Sequence, residues 1–95
     1  MANNQLGLIY SSAGHTDRAV AHYRESIRYH EAQGDVYGAS QARFNVAVTL
    51  AQAGRLHDAL EYARAALRGF ESFGEREADW IQRTRQVIEA VEEAL

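Results

Sequence analysis

One stretch of sequence decides the fold, because it occurs twice. Residues 6–34 read LGLIYSSAGHTDRAVAHYRESIRYHEAQG, and residues 46–74 read VAVTLAQAGRLHDALEYARAALRGFESFG. A shift of forty residues aligns identical pairs: Gly14 with Gly54, Gly34 with Gly74, Ala13 with Ala53, Ala19 with Ala59, Arg24 with Arg64, Arg28 with Arg68 and Glu31 with Glu71. Apolar pairs follow at the same shift: Leu6 with Val46, Leu8 with Val48, Val20 with Leu60 and Ile27 with Leu67. Self-similarity at a fixed period of this length indicates a repeat architecture.

Glycines divide the chain into five segments, and they fall where a helix end requires a left-handed residue. The predicted helices cover residues 3–13, 16–33, 36–53, 56–73 and 76–95. Asp35 and Thr16 are the predicted N-caps of the third and second segments. Proline is absent from the chain, so no segment carries a residue that breaks a helix. The sequence therefore predicts an all-α protein.

The pattern of apolar residues predicts how each helix is exposed. The third segment is apolar over most of its circumference, as expected of a helix buried between neighbours. The fifth carries a single apolar stripe from Trp80 to Leu95, opposite a polar face of Gln82, Gln86, Glu89, Glu92 and Glu93. A helix with one apolar face and one solvent-exposed polar face is typical of the helix that caps a repeat array.

These residues resemble the tetratricopeptide repeat family. Its motif has a Leu-Gly pair, an aromatic residue three positions later, and an Ala followed after four residues by another aromatic. The first copy has Leu6-Gly7, Tyr10, Ala19 and Tyr23, and the looser second copy has Val46-Ala47, Leu50, Ala59 and Ala63. The chain departs from the family at Asn3 and Arg43, which stand where its Trp stands, and it lacks the terminal Pro. The forty-residue period exceeds the usual 34 and resembles the longer variant of kinesin light chains and large bacterial regulators.

The resemblance implies one domain over residues 1–95, built as a short right-handed α-solenoid. Repeat 1 covers about 3–33, repeat 2 about 36–73, and the capping helix about 76–95. Ala19 and Ala59 are expected where the two helices of a hairpin cross. The first helix of each repeat is expected to line a concave groove.

The resemblance also implies the function of a scaffold that binds a protein partner. The groove-facing positions are expected at Asn4, Leu8, Ser11, Ser12, Gln41, Phe44, Asn45, Val48, Gln52, Thr84, Arg85, Ile88 and Glu92. Family members that clamp a terminal carboxylate carry Lys, Arg and Asn at the key positions, where this chain is largely apolar. An apolar groove with amide rims suits a peptide or helix. The other interpretation, that Phe44, Val48 and Ile88 pack inside the domain, stays equally open.

A second hypothesis is structural. Leu6, Ile9 and Tyr10 would normally pack against a preceding repeat, and exposed apolar patches of this kind tend to find partners. The chain would then be a segment of a longer array that self-associates, forming a homodimer without a separate ligand.

No residue pattern predicts an enzyme, a cofactor or a metal site. The histidines, at positions 15, 22, 30 and 57, lack the i, i+4 spacing of a zinc-binding helix and are predicted to be solvated. Arg24, Arg28, Arg64 and Arg68 form a ladder that is predicted to be a solvated convex face balanced by glutamates. A net charge of −3 argues against nucleic-acid binding. The sequence shows neither a membrane-spanning run nor a signal peptide, so the expected location is the cytoplasm.

Overall fold

The computed structural model describes residues 15–95, and their regular structure is entirely helical. Four α-helices follow in order: α1 (Thr16–Ala32), α2 (Val36–Gln52), α3 (Leu56–Glu71) and α4 (Ala78–Ala94). A short 3₁₀ helix, Gly74–Glu77, precedes α4. The all-α prediction is confirmed, and four of the five predicted segments correspond to these helices. The remaining predicted segment, residues 3–13, comes first in the chain and lies outside the described residues.

Two turns of the same design join the first three helices. Gly34 and Gly54 have φ angles of 69° and 80°, in the left-handed region that glycine adopts without strain. After each glycine the next backbone N–H bonds back to the preceding helix: Asp35 N to His30 O at 2.8 Å, and Arg55 N to Leu50 O at 2.9 Å. Satisfying these terminal carbonyls ends each helix at a defined residue. The repeated glycines therefore mark repeated turns.

The two predicted N-caps have different outcomes. Asp35 caps α2, since its carboxylate accepts a hydrogen bond from the Gly38 N–H at 2.9 Å. The prediction for Thr16 is wrong by one position: His15 is the N-cap of α1, and its carbonyl accepts the Ala19 N–H at 3.0 Å. Thr16 already belongs to the first turn of the helix.

Each helix packs on the next one along the chain, and α2 also reaches α4. Two groups of side chains fill the space between the layers. The aliphatic cluster consists of Ile27, Ala42, Val46, Leu50, Ala59, Leu60 and Val91. The aromatic cluster consists of Phe44, Ala66 and Phe70, against which Tyr37, Val48, Trp80, Ile81 and Val87 pack. Since α2 contributes to both clusters, it is buried over most of its circumference, as its composition predicts.

Small residues on α3 allow α2 to approach closely. Ala59, Ala63 and Ala66 are fully buried, which agrees with the helix crossing expected at Ala59. Further along, a Cβ atom on Gly69 would fall on the Ser40 hydroxyl of α2. A larger residue at such a position would force the two helices apart.

Candidate functional site

One face of α2 is left only partly covered by its neighbours. Gln41, Asn45 and Val48 are half-buried and Gln52 is exposed, while the rest of the helix between Gly38 and Leu50 is mostly buried. These positions recur at the spacing of one or two turns, so they form a single stripe. We call this stripe the groove face of α2. It presents amide groups around one apolar side chain.

For Phe44 the sequence leaves two interpretations open, the groove face or packing inside the domain, and the structure places it mainly in the core. Its side chain is 8% exposed and belongs to the aromatic cluster. Its ring meets Trp80 of α4 edge to face, with 5.3 Å between the centroids. Phe44 therefore fills the space between α2 and α4 beneath the groove face.

The connection before α4 is two residues longer than the connection before α2. The positions of α4 are therefore displaced by two residues from those that the forty-residue repeat predicts. Helix α2 begins two residues after Gly34, whereas α4 begins four residues after Gly74 because the 3₁₀ helix intervenes. Two matching ion pairs confirm the shift: Arg43 pairs with Glu31 at 2.8 Å, and Arg85 pairs with Glu71 at 3.2 Å. The glutamates are forty residues apart and the arginines forty-two. Positions on α4 therefore correspond to α2 at a shift of forty-two.

This shift corrects the α4 part of the expected groove. Thr84 is fully buried, and its hydroxyl donates to the Trp80 carbonyl at 2.6 Å. Arg85 lies at the edge facing α3, where it pairs with Glu71, and Glu92 pairs with Arg64 of α3 at 3.2 Å. Ile88 is half-buried and packs against the aliphatic cluster. The α4 residues that correspond to Gln41, Asn45 and Val48 are instead Arg83, Val87 and Ala90.

Trp80 of α4 joins this helix to α2 and α3. Its indole stacks on Phe70, with centroids 5.0 Å apart and planes inclined by 14°. The indole N–H donates to the Tyr37 hydroxyl of α2 at 2.8 Å. The guanidinium carbon of Arg83 lies over the same ring, 5.4 Å from its centroid. Sequence reasoning treated Trp80 only as part of an apolar stripe, although the i, i+3 spacing to Arg83 was visible and permits this contact.

The remaining expected site residues belong to the N-terminal segment. Asn4 and Leu8 of the groove, and Leu6, Ile9 and Tyr10 of the self-association patch, lie outside the described residues. Their binding roles stay predictions.

The described residues contain no cluster of three or more side chains able to hold a metal ion. His22 and His57 are exposed, but His30 is not simply solvated: its Nδ1 lies 2.9 Å from the Asp35 carboxylate. That carboxylate also caps α2, so His30 belongs to the turn between α1 and α2. Burial raises the pKa of the Tyr23 hydroxyl above its ordinary value.

Ion pairs on the outer face join different helices. The predicted balance of the arginine ladder by neighbouring glutamates does not hold for Glu31 and Glu71, which pair instead with Arg43 and Arg85 of the following helix. Arg64 of the ladder pairs with Glu92 of α4. These exposed pairs tie successive helices together and are each worth at most about 1 kcal/mol.

No helix within residues 15–95 combines the length and apolar character needed to cross a membrane.

Helices that each pack on the next, joined by turns that recur with the sequence, define an α-helical repeat protein. The comparison with protein families matches residues 1–72 to the tetratricopeptide repeat. The chain therefore belongs to the tetratricopeptide repeat family, and the longer-period variant related to kinesin light chains fits this match. Comparisons with curated proteins and with solved structures found no match. Repeats of this family generally mediate protein–protein interaction, and the family is a non-enzymatic scaffold.

Proposed function

We propose that this chain is an interaction module that docks a peptide or helical segment of a protein partner on its groove face. The observation that carries the proposal is the partly covered stripe of Gln41, Asn45 and Val48 on a helix that is otherwise buried. Amide groups accept and donate hydrogen bonds, and Val48 offers apolar contact between them. This combination suits a partner that buries apolar side chains while its polar groups stay paired.

The two walls of the proposed site come from different repeats. Helix α2 supplies the amides and Val48, and α4 supplies Val87 and Arg83 at the corresponding positions. Trp80 and Phe44 hold the walls together from beneath. A site supported by packed side chains on two helices is preorganised, which lowers the entropic cost of binding.

A matched pair of substitutions tests the location. Peptides selected from a displayed library of helical sequences against the full chain provide the probe. Gln41→Tyr places a bulky ring on the groove face, whereas Gln82→Tyr places the same ring on the exposed outer side of α4. We expect Gln41→Tyr to weaken binding about ten-fold or more by steric exclusion, and Gln82→Tyr to leave it unchanged. Equal effects of both variants, or a library without any binder, would overturn the proposal.

The self-association hypothesis concerns the same chain without a ligand. It rests on Leu6, Ile9 and Tyr10, so the groove-face variants do not affect it. Sedimentation equilibrium separates the two ideas, because only self-association makes the mass depend on protein concentration and respond to Ile9→Glu.

A further inference from the structure

The turn between α1 and α2 holds an imidazole and a carboxylate in direct contact. Nδ1 of His30, in the last turn of α1, lies 2.9 Å from one carboxylate oxygen of Asp35. The other oxygen of that carboxylate accepts the Gly38 N–H at 2.9 Å and so caps α2. One aspartate therefore connects the end of α1 to the start of α2.

The first turn is the only one of the three glycine turns with this pair of side chains. The residues four positions before and one position after each glycine are His30 and Asp35, then Leu50 and Arg55, then Phe70 and Glu75. Phe70 is fully buried in the aromatic cluster, whereas the side chain of His30 is 29% exposed. Repeat 1 thus has a titratable ring at a position where repeat 2 has a core side chain.

The packing around His30 is built for this contact. A Cβ atom on Gly38 would fall on the Asp35 carboxylate and on the His30 ring, so the missing side chain leaves room for both groups. Glycine is otherwise unfavourable in a helix, which makes its presence in the first turn of α2 informative. The rings of Tyr29 and His30 also meet edge to face, with 5.4 Å between their centroids.

Protonation would change the charge of the contact without changing its geometry. A carboxylate only accepts hydrogen bonds, so Nδ1 of His30 must carry the proton that Asp35 accepts. In the neutral imidazole Nε2 is then unprotonated, and acid adds the second proton there. The Nδ1–H group keeps its bond, which becomes a charge-assisted and therefore stronger hydrogen bond.

The surrounding charges leave Asp35 as the group that favours the imidazolium. Helix α1 packs on α2, whose only charged side chain, Arg43, pairs with Glu31 at 2.8 Å. The other titratable group of α2 is Tyr37, whose hydroxyl accepts the indole N–H of α4. The carbonyl end of a helix also favours a cation, and His30 lies in the last turn of α1.

We infer that the contact between His30 and Asp35 is a pH-sensitive link that holds the end of α1 on the start of α2. Carboxylate and imidazolium coexist between about pH 4 and pH 6.5, so the link is an ion pair in that interval. Above it the imidazole is neutral and only the ordinary hydrogen bond remains. Ile27, one turn before His30, is the buried residue of α1 in the aliphatic cluster. Acid should therefore tighten the packing of α1 on α2, whether or not the groove face binds a partner.

Urea denaturation of the full chain at pH 5.5 and pH 7.5, at low ionic strength, tests this inference. His30→Asn is the main variant, because its amide places an N–H near the position of Nδ1 but cannot become charged. We expect the unfolding equilibrium constant of the wild type to fall about three-fold from pH 7.5 to pH 5.5, relative to His30→Asn. Groups that titrate alike in both proteins cancel in this ratio.

Two further variants assign the effect to the pair. Asp35→Asn removes the charge but keeps a good N-cap for α2, so it should abolish the same pH dependence. His22→Asn is the matched control, since His22 is an exposed histidine of the same helix. It should keep the pH dependence of the wild type. A pH dependence that survives His30→Asn or Asp35→Asn, or that disappears in His22→Asn, would overturn the inference.

A measurement on the wild type alone does not depend on the variants folding. Hydrogen exchange followed by NMR gives protection factors, which are corrected for the intrinsic effect of pH on exchange. The amides from Tyr29 to Ala32 should be about three-fold better protected at pH 5.5 than at pH 7.5. Protection that is equal at the two pH values, or lower at pH 5.5, would contradict the link.

Discussion

Gly69 lies where α2 and α3 approach each other, and its missing side chain is what permits the contact. Gly69→Ala would improve helix propensity by about 1 kcal/mol, because glycine is poor in helix interiors. The added Cβ atom would, however, fall on the Ser40 hydroxyl, which donates to the Val36 carbonyl at 2.8 Å. Overpacking of this kind costs about 1–3 kcal/mol. We therefore expect urea denaturation to show a net loss of stability.

A double-mutant comparison separates the steric cause from a general effect. Ser40→Ala removes the hydroxyl and leaves the Ser40 Cβ position, 3.1 Å from the Cβ that Gly69→Ala introduces. Gly69→Ala should then cost clearly less in the Ser40→Ala background than in the wild type. The same cost in both backgrounds would contradict the proposed contact.

Single residues also show where prediction from sequence fails. Asp35 is predictable as a cap because its role depends only on neighbours within three positions. The Trp80–Tyr37 hydrogen bond joins residues forty-three positions apart, so no local pattern reveals it. Thr84 looks like a groove residue at a forty-residue shift, yet it is fully buried. Its position depends on the length of the connection between α3 and α4. The forty-residue alignment treats this connection as equal in length to the one between α1 and α2.

At the scale of elements, the unusual one is the connection between α3 and α4. Gly74, with φ of 69°, ends the α3 region as Gly34 ends α1, but the 3₁₀ helix Gly74–Glu77 then adds two residues before α4 begins. The glycine spacing therefore predicts the turn correctly and the register of the next helix incorrectly. Tyr37 anchors both sides of this connection: its ring meets Phe73 edge to face at 6.0 Å, and its hydroxyl accepts from Trp80.

Tyr37→Phe tests this anchoring. The substitution keeps the ring packing against Phe70 and Phe73 but removes the acceptor of the indole N–H. The lost hydrogen bond should cost about 0.5–1.5 kcal/mol, measured by urea denaturation. Trp80 is the only tryptophan, so its emission reports directly on this site. Tyr29→Phe, which alters a 65% exposed tyrosine, is the control. It should change neither the free energy of unfolding nor the tryptophan emission. An unchanged stability in Tyr37→Phe would mean that water replaces the acceptor.

At the scale of the whole molecule, α2 packs between α1 and α3, whereas the face of α4 that corresponds to the α3-facing side of α2 is polar and exposed. On α2, Ser40 lies against Gly69 of α3 and Phe44 packs with Ala66 and Phe70 of α3, and both residues are buried. Their counterparts at a shift of forty-two are Gln82 and Gln86, which are exposed, as are Glu89 and Glu93 at the following turns of α4. This polar stripe lies on the solvent-exposed polar face that the sequence predicts for the last helix. Composition along one helix was enough to predict it, because solvation of a helix face depends on that face alone.

This arrangement predicts unequal protection of backbone amides across the molecule. Helix α2 packs against α1, α3 and α4, and Val46 and Ala47 at its centre are fully buried. Helix α4 packs chiefly against α3, and its last residues, from Glu92 to Ala94, are exposed, as is Leu95 after them. In a nearest-neighbour array a helix with fewer neighbours opens at a lower free energy. We expect hydrogen exchange followed by NMR to be about ten-fold or more slower at the centre of α2 than in α4. Equal protection in the two helices would show instead that they open only together, in one cooperative unfolding of the domain.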